Sequence, residues 1–570
     1  PAERARLTVQ SAKKKPPERA IAADVIDRVS RAWGESPFYQ AQLDGPAPDR
    51  LGHQPIDPYE PDAELGDAIL RGRLSIGAET IDCYGELERL WDLAGREGAL
   101  HDFMHEFLWL RHLARFGVRA KEPAMRLARG WFEAHERWSP DGWAPHTTGE
   151  RLIHLCCHGQ LVLAAGDAMW RSRVLSSMAR QTRHLARSGH RAGTAYDRLM
   201  TATALTISAL SLPGCEAASE KGLELLRREL RLQIRPDGGH VSRNPSRQLA
   251  LVVRLQMVVK ALEAQRLTPP GFLKHIVGRA AAHAQLFRAG DGKLAVFNGG
   301  FEDDGGALAA ALSAIERDVE PAGFARHSGF QRLEAARSVL IADVGAARGG
   351  AVASNAYQSG ASFHFSSGRS RIVVNCGSGD RMPGDWPGAL RLAAAHSTIS
   401  VDPPSIAGNL FRGAVITHRR AEEQRGHLLE IERSFAGEGA SAENHGGLTH
   451  LRRFYLASRG DDLRGEDRLS RAAPAIGGAW KLRFHLHPGV KASMARDRRS
   501  VILSLPNKEG WKFRANIEAL TLEKSIYCGA DGTPQATEQI VISPPCGGAL
   551  EGRAGDDIVI KWSFRRMDGI

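Results

Sequence analysis

Nine consecutive residues, Asp237-Gly238-Gly239-His240-Val241-Ser242-Arg243-Asn244-Pro245, bring turn formers, an imidazole, a guanidinium and a carboxamide together. Pro236 and the paired glycines oppose a continuing helix, so the backbone turns there and presents the side chains that follow. Three different polar groups on one short loop, with Arg247 just beyond, suit an anionic sugar. Further polar residues stand upstream (Trp143, His146, Arg151, then Tyr196-Asp197) and downstream (Tyr357, His396). Imidazole and phenol side chains move protons when neighbours tune them, and a guanidinium grips a carboxylate through two parallel bonds.

Helices must position the first of these groups. From about Thr80 to Leu286 the apolar spacing is helical, with Phe103, Phe107 and Leu110 on one face and Leu152, Leu155 and Leu161 on another. The runs Ala168–Ser188, Ala195–Ser211, Ala218–Ile234 and Gln248–Gln265 predict successive helices, separated by turn signals such as Leu212-Pro213-Gly214. Short connections make consecutive helices antiparallel neighbours. The absence of a fixed-period repeat favours a closed ring over a solenoid.

After Phe287 glycine becomes more frequent and the period changes to two. Leu482, Phe484 and Leu486 alternate with Arg483, His485 and His487, and Val501, Leu503 and Leu505 repeat the pattern. Many short strands in series predict an antiparallel β-sandwich. Helices first and strands second imply two segregated domains, with a boundary near 290–325.

At 570 residues the chain exceeds one ordinary domain. The formal charge is +11, which favours acidic partners, although arginine-rich composition alone produces the same balance. No apolar run approaches the length of a membrane-spanning helix, and Lys13-Lys14-Lys15-Pro16-Pro17 lacks the apolar core of a signal peptide. That start reads as a flexible basic arm. No zinc finger or RNA-binding motif accompanies it, so nucleic acid is not expected as a partner. Seven scattered cysteines without CxxC spacing predict reduced thiols rather than a disulfide framework or structural zinc.

Several segments, taken in order, resemble the heparinase II/III-like family over roughly 80 to 565. They are His105-Glu106-Phe107-Leu108-Trp109-Leu110, Trp143-Ala144-Pro145-His146 with Arg151, and the loop at Asp237. In the second half they are Ser362–Gly368 with Ile372–Gly377, Ala395-His396-Ser397-Thr398, Gly447–Arg453 and Leu463–Asp467. The resemblance implies an α+β multidomain protein, an N-terminal incomplete (α/α) toroid followed by a C-terminal antiparallel β-sandwich. Its implied domains are a basic arm and lead-in at 1–75, the toroid at 76–310 and the sandwich at 311–570.

The resemblance also implies β-elimination on a uronic-acid polysaccharide. A base removes the C5 proton, an acid protonates the leaving oxygen, and positive or hydrogen-bonding groups neutralise the uronate carboxylate. On that basis His240, Asn244, Tyr357 and His396 are the catalytic candidates. Arg243, Arg247, Tyr196, Trp143, His146 and Arg151 are the candidates for holding substrate. Each has an ordinary structural alternative: Asn244 before Pro245 suits a helix N-cap, Asp197 another cap, and Trp143 a core position.

The sequence departs from the family where chemistry is concentrated. Tyr196-Asp197 stands in place of an Asn-His pair, Arg247-Gln248 follows Arg243–Ser246 in place of Tyr-His, and Asn355–Ser359 replaces a His-x-His-x-Asp strand start. At the metal-binding positions stand Tyr357, Asn375 and His396, too few ligands for zinc, so no metal or other cofactor is expected. These losses leave open a non-catalytic glycan-binding protein on the same scaffold. A glycoside hydrolase is a third reading, and it needs two facing carboxylates, which the sequence does not display as a pair. The groove between the halves is expected to be positively charged. Location is expected in the periplasm or cell envelope from the resemblance, or in the cytoplasm from the absence of an export signal.

Overall fold

The structure, a computed structural model, describes residues 32–567 except 78, 94–97, 141, 304, 314, 316–321, 346–355, 403–414, 424, 435–447, 472–478, 518–519 and 544–556. The basic stretch at 13–17 and Asn355 lie outside the described residues.

The first half is a toroid of helices. Its long members are Val118–His135, Pro145–His158, Ala168–Ser188, Ala195–Ser211, Ala217–Gln233, Pro245–Ala264 and Gly271–Leu286. Their starts are encoded locally. The Asp167 side chain accepts from Trp170 N, Thr194 and Asp197 form a reciprocal capping box, and Asn244 caps a helix whose first residue is Pro245. Ala195–Ser211 is buried continuously from Leu199 to Ser211, because Pro145–His158, Ala217–Gln233 and Pro245–Ala264 all pack on it. A helix enclosed in this way has apolar residues around its whole circumference. The residues before the ring are part of it: Tyr39 and Leu43, from Pro37–Leu43, are buried in the helical core, and the Tyr39 hydroxyl meets His184 Nδ1 at 2.7 Å.

The second half begins after the helix Gly305–Ser313, at the strand Phe324–Ala325. Two antiparallel sheets of eight and nine strands face each other. The eight-stranded sheet has Gly510–Ala515, Ile558–Arg566, Asp462–Arg471 and Leu448–Ala457 as its central run. The nine-stranded sheet passes through Ala479–Leu486, Ser370–Val374, Phe363–Ser367, Ser338–Asp343 and Phe330–Ala335. Aromatic side chains fill the space between, with Phe363 stacked on Trp562 at 5.8 Å and Phe484 edge-on to it at 4.9 Å. A charged cluster is buried beside that core: Asp467 accepts from Arg452 Nε (2.7 Å) and Trp562 Nε1 (2.7 Å), and His450 Nε2 lies 2.6 Å away.

The alternation at 482–487 does not separate core from solvent. Leu482, Phe484 and Leu486 face the other sheet, but Arg483 and His485 are also buried. His485 is held by Ser525 Oγ at 2.8 Å and the Ala394 carbonyl at 3.0 Å, because a loop covers that face of a central strand. Six of the seven cysteines fall among the described residues, and all six are free and buried.

Candidate functional site

The Asp237–Gln248 loop faces the sheets. The Asp237 carboxylate accepts from the backbone of His327 (2.7 Å) and Ser328 (2.6 Å) and from Ser328 Oγ (2.8 Å). Its polar groups are then used to join the two halves. Arg243 pairs with Asp343, donates to the carbonyls of Ser328 (2.7 Å) and Gly329 (3.1 Å), and lies over the Phe330 ring. Asp343 has no exposed side-chain surface and also accepts from Ser359 Oγ at 2.7 Å. Asn244 is filled at both ends: its Oδ1 caps the helix through Arg247 N, and its Nδ2 donates to the Asn298 carbonyl, each at 3.0 Å.

His240 is 3% exposed, and burial first, then Arg247 and Arg235, lower its pKa to about 3. Gln233 Oε1 accepts from His240 Nε2–H at 2.9 Å, because the Gln233 amide nitrogen already donates elsewhere, and Nδ1 is left to accept from Ser242 at 2.7 Å. These contacts fix one neutral tautomer.

Tyr357 and His396 sit together, rings 5.9 Å apart, behind the segment bearing Arg391. His396 is 1% exposed, and burial lowers its pKa to about 3. Trp143 and Arg151 belong to the helical core. Trp143 Nε1 donates to the His135 carbonyl, and Arg151 donates to Gln181 Oε1 and to the carbonyls of His105 and Gly142 while lying over Trp131. Neither has a group left to offer a sugar in the cleft.

The open space lies elsewhere on the toroid wall. A cavity of 370 Å³ is lined by Asp57, Tyr59, Glu106, Arg111, His146, Glu150, His154, Tyr196 and Arg254, and by Arg381 from the sheet half. Of the ten candidates, His146 and Tyr196 line it, and the exposed Arg247 stands over the Tyr196 ring at 4.9 Å. Arg111 Nε holds Asp57 at 2.7 Å, and Arg254 holds Glu150. Among the described residues the one ion-pair partner of the Glu106 carboxylate is His146 Nε2, at 3.9 Å.

Burial and the neighbouring Glu150 carboxylate raise the Glu106 pKa well above the usual range. Burial acts the same way on Glu150, but the Arg254 guanidinium, together with His146, His154 and Arg111, outweighs it and holds that carboxyl below its ordinary value. Burial lowers His154 to about 3 and raises Tyr196, so His154 is neutral and Tyr196 keeps its proton at neutral pH. Arg254 Nη1, Glu150 Oε1, His154 Nε2 and His146 Nδ1, all on this wall, have no hydrogen-bond partner among the described residues. Buried polar groups without partners mark a place where a polar ligand would be accommodated.

Most of this wall was missed in the sequence, although one signal was present. His146, Glu150, His154 and His158 recur every four residues along Pro145–His158, which aligns them on one helical face. His158 continues the stripe past the cavity to Asp57, at 2.9 Å. Glu106 was visible only as an isolated acid, and its pairing with Glu150 requires the ring to close.

The cavity opens into a larger cleft of 970 Å³ that shares Glu106, Leu108, Arg111 and Arg381. Here the expected positive charge is absent. Six carboxylates (Asp62, Glu64, Asp102, Glu106, Asp380 and Asp531) meet three arginines, Arg73, Arg111 and Arg381. The chain's net positive charge had suggested otherwise, but a total charge does not say where the charge sits. Among the described residues no group of three or more His, Cys, Asp or Glu is arranged to hold a metal ion.

The arrangement of a helical toroid followed by facing antiparallel sheets is similar to solved structures of heparinase III and heparan sulfate lyase HepC. Heparinase III aligns over 97% of this chain and 91% of its own, with a TM-score of 0.69 and 14% identity. A mutant of heparan sulfate lyase HepC from Pedobacter heparinus aligns over 97% and 90%, with a TM-score of 0.57 and 15% identity. The chain matches the heparinase II/III-like C-terminal family model over residues 317–563. It is also 28% identical, over 97% of its length and 96% of the relative's, to FtsZ-localized protein C of Caulobacter vibrioides (strain NA1000 / CB15N). No described helix is long and apolar enough to cross a membrane.

Proposed function

We propose that this chain is a polysaccharide lyase that cleaves a uronic-acid-containing glycan by β-elimination in the cleft between toroid and sheets. The observation that carries this reading is the cavity wall on which Tyr196 and His146 face Arg381 and Glu106. Two arginines of that wall already hold carboxylates, whereas Arg381 donates to the Asp531 carbonyl and lies over Phe301. A uronate carboxylate beside Arg381 and the protonated Glu106 carboxyl would lose much of its negative charge, which makes the C5 proton removable. His146, with Nδ1 free, takes that proton as the C4–C5 double bond forms and the C4–O4 bond breaks. Tyr196, kept protonated by burial, returns a proton to O4.

In this scheme the proton-transfer roles expected of His240, Asn244, Tyr357 and His396 pass to residues of the toroid wall, and no metal or organic cofactor takes part. The substrate is an acidic polysaccharide of the periplasm or cell envelope. A second reading, acidic-glycan binding without cleavage, is favoured by the structural use of His240, Arg243 and Asn244.

Incubation with glucuronan, alginate, heparan-type chains and bacterial exopolysaccharides separates the two. The lyase reading expects unsaturated uronate ends absorbing in the ultraviolet, with Tyr196→Phe and His146→Ala each lowering turnover by about 100-fold or more while folding is retained. Binding across the panel with no unsaturated ends selects the second reading.

A further inference from the structure

The positive charge missing from the cleft is concentrated on the opposite side of the sandwich. On the outer face of the eight-stranded sheet a concavity of 690 Å³ carries Arg453, Arg464, Arg499, Arg514, Lys561 and Arg565 against two carboxylates, Asp462 and Glu466. All of these cations except the half-buried Arg453 are exposed.

The arrangement follows from strand register. Arg464 and Arg514 both lie directly opposite Ser563, one on each neighbouring strand, and Tyr455 lies opposite Arg464. The row therefore reads Tyr455, Arg464, Ser563, Arg514, with the two guanidinium-bearing positions about 10 Å apart across two strand spacings. Asp462 compensates Arg464 at 2.7 Å, and Glu466 lies near Arg453 and Lys561. Among the described residues no carboxylate pairs with Arg514 or Arg565. Six cations against two carboxylates leave this sheet face with an excess of exposed positive charge, which suits an anionic ligand.

We propose that this face is a second binding site, a groove that holds an acidic polysaccharide chain apart from the toroid cleft. It goes beyond the lyase reading, since it requires no cleavage. Ser563, Asn516 and the Tyr455 hydroxyl sit among the cations and match sugar hydroxyls between successive charges. The chemistry of other polyanions fits less well. Of the aromatic rings lining the groove, Phe454 and Trp562 are buried and Tyr455 is half-buried, so nucleobases find no open row of rings to stack on. None of the exposed large apolar side chains among the described residues lies on these strands, so nothing there would enter a bilayer.

The test uses the full chain and size-defined glucuronan oligosaccharides, followed by calorimetric titration at two salt concentrations. Replacing three exposed cations together (Arg464→Gln, Arg514→Gln, Arg565→Gln) is expected to weaken binding of long oligosaccharides about 10-fold or more and to flatten its salt dependence. Thermal melting and release of unsaturated ends from short substrates should be unchanged. Tyr196→Phe should leave long-chain binding at this face intact, so loss of cleavage alone does not count against the groove. Unchanged long-chain binding in the triple variant overturns the proposal. So does tighter binding of single-stranded DNA or phosphatidylglycerol vesicles than of the glycan, when the triple variant abolishes it.

Discussion

The Asp237–Gln248 loop and the Tyr196–His146–Glu150 wall are both polar and largely enclosed, yet they differ in what remains for a ligand. On the loop almost every donor and acceptor has a protein partner: Asp237, His240, Arg243 and Asn244 are all engaged. On the wall four polar atoms have none among the described residues, and one carboxyl is held against its charged form. Richness in polar side chains identifies neither region as a site. The distinguishing property is whether hydrogen-bonding capacity is left over after folding.

The largest effect that would test this contrast comes from the loop. Arg243→Ala leaves Asp343 buried without its partner, and a broken buried ion pair costs about 3–5 kcal/mol. Arg243 has φ 57°, but alanine bears the same backbone cost there, so the loss reports the side chain. A fall of that size in chemical denaturation, with turnover per folded molecule unchanged, assigns Arg243 to the junction. Full stability with lost turnover would move it back into the site.

Asn244→Ala should behave the same way on a smaller scale. It removes an N-cap and a bond to the Asn298 carbonyl, together worth about 1–2 kcal/mol. Were Asn244 a carboxylate neutraliser, catalysis would fall and stability would hold. Measuring denaturation and unsaturated-end release on one preparation decides between them.

These two residues show how far the sequence could be read. Periodicity located the helices Ala168–Ser188 and Ala195–Ser211 with the same bounds, because caps such as Thr194-Asp197 and breakers such as Pro213-Gly214 act through neighbouring residues. The helices-then-strands order and the period-two strands gave the toroid and the facing sheets for the same reason. Asn244 before Pro245 was legible as a cap, again a local matter. Whether Arg243 meets a ligand or Asp343, 100 residues away, depends on which strand closes over the loop, and no spacing encodes that. Glu106 and Glu150 likewise meet only when separate helices converge. The outer groove was equally hidden, because Arg464 and Arg514 flank Ser563 through strand register between distant segments.

The smallest effect has the opposite sign and tests the wall. The folded chain raises the Glu106 pKa above the ordinary value of 4.5, so between that value and the folded one the native state holds a proton that the unfolded state has released. Stability contributed by this group therefore declines as pH rises through that window. Glu106→Gln keeps the shape and the hydrogen-bonding edge but does not titrate. The variant should match the parent near pH 4.5 and exceed it at pH 8 by on the order of 1 kcal/mol. Thermal melts of both proteins across that range provide the comparison. A gap that fails to widen with pH, or a variant less stable at pH 8, would mean that Glu106 is as well satisfied as the loop residues, and the wall would lose its claim to be different.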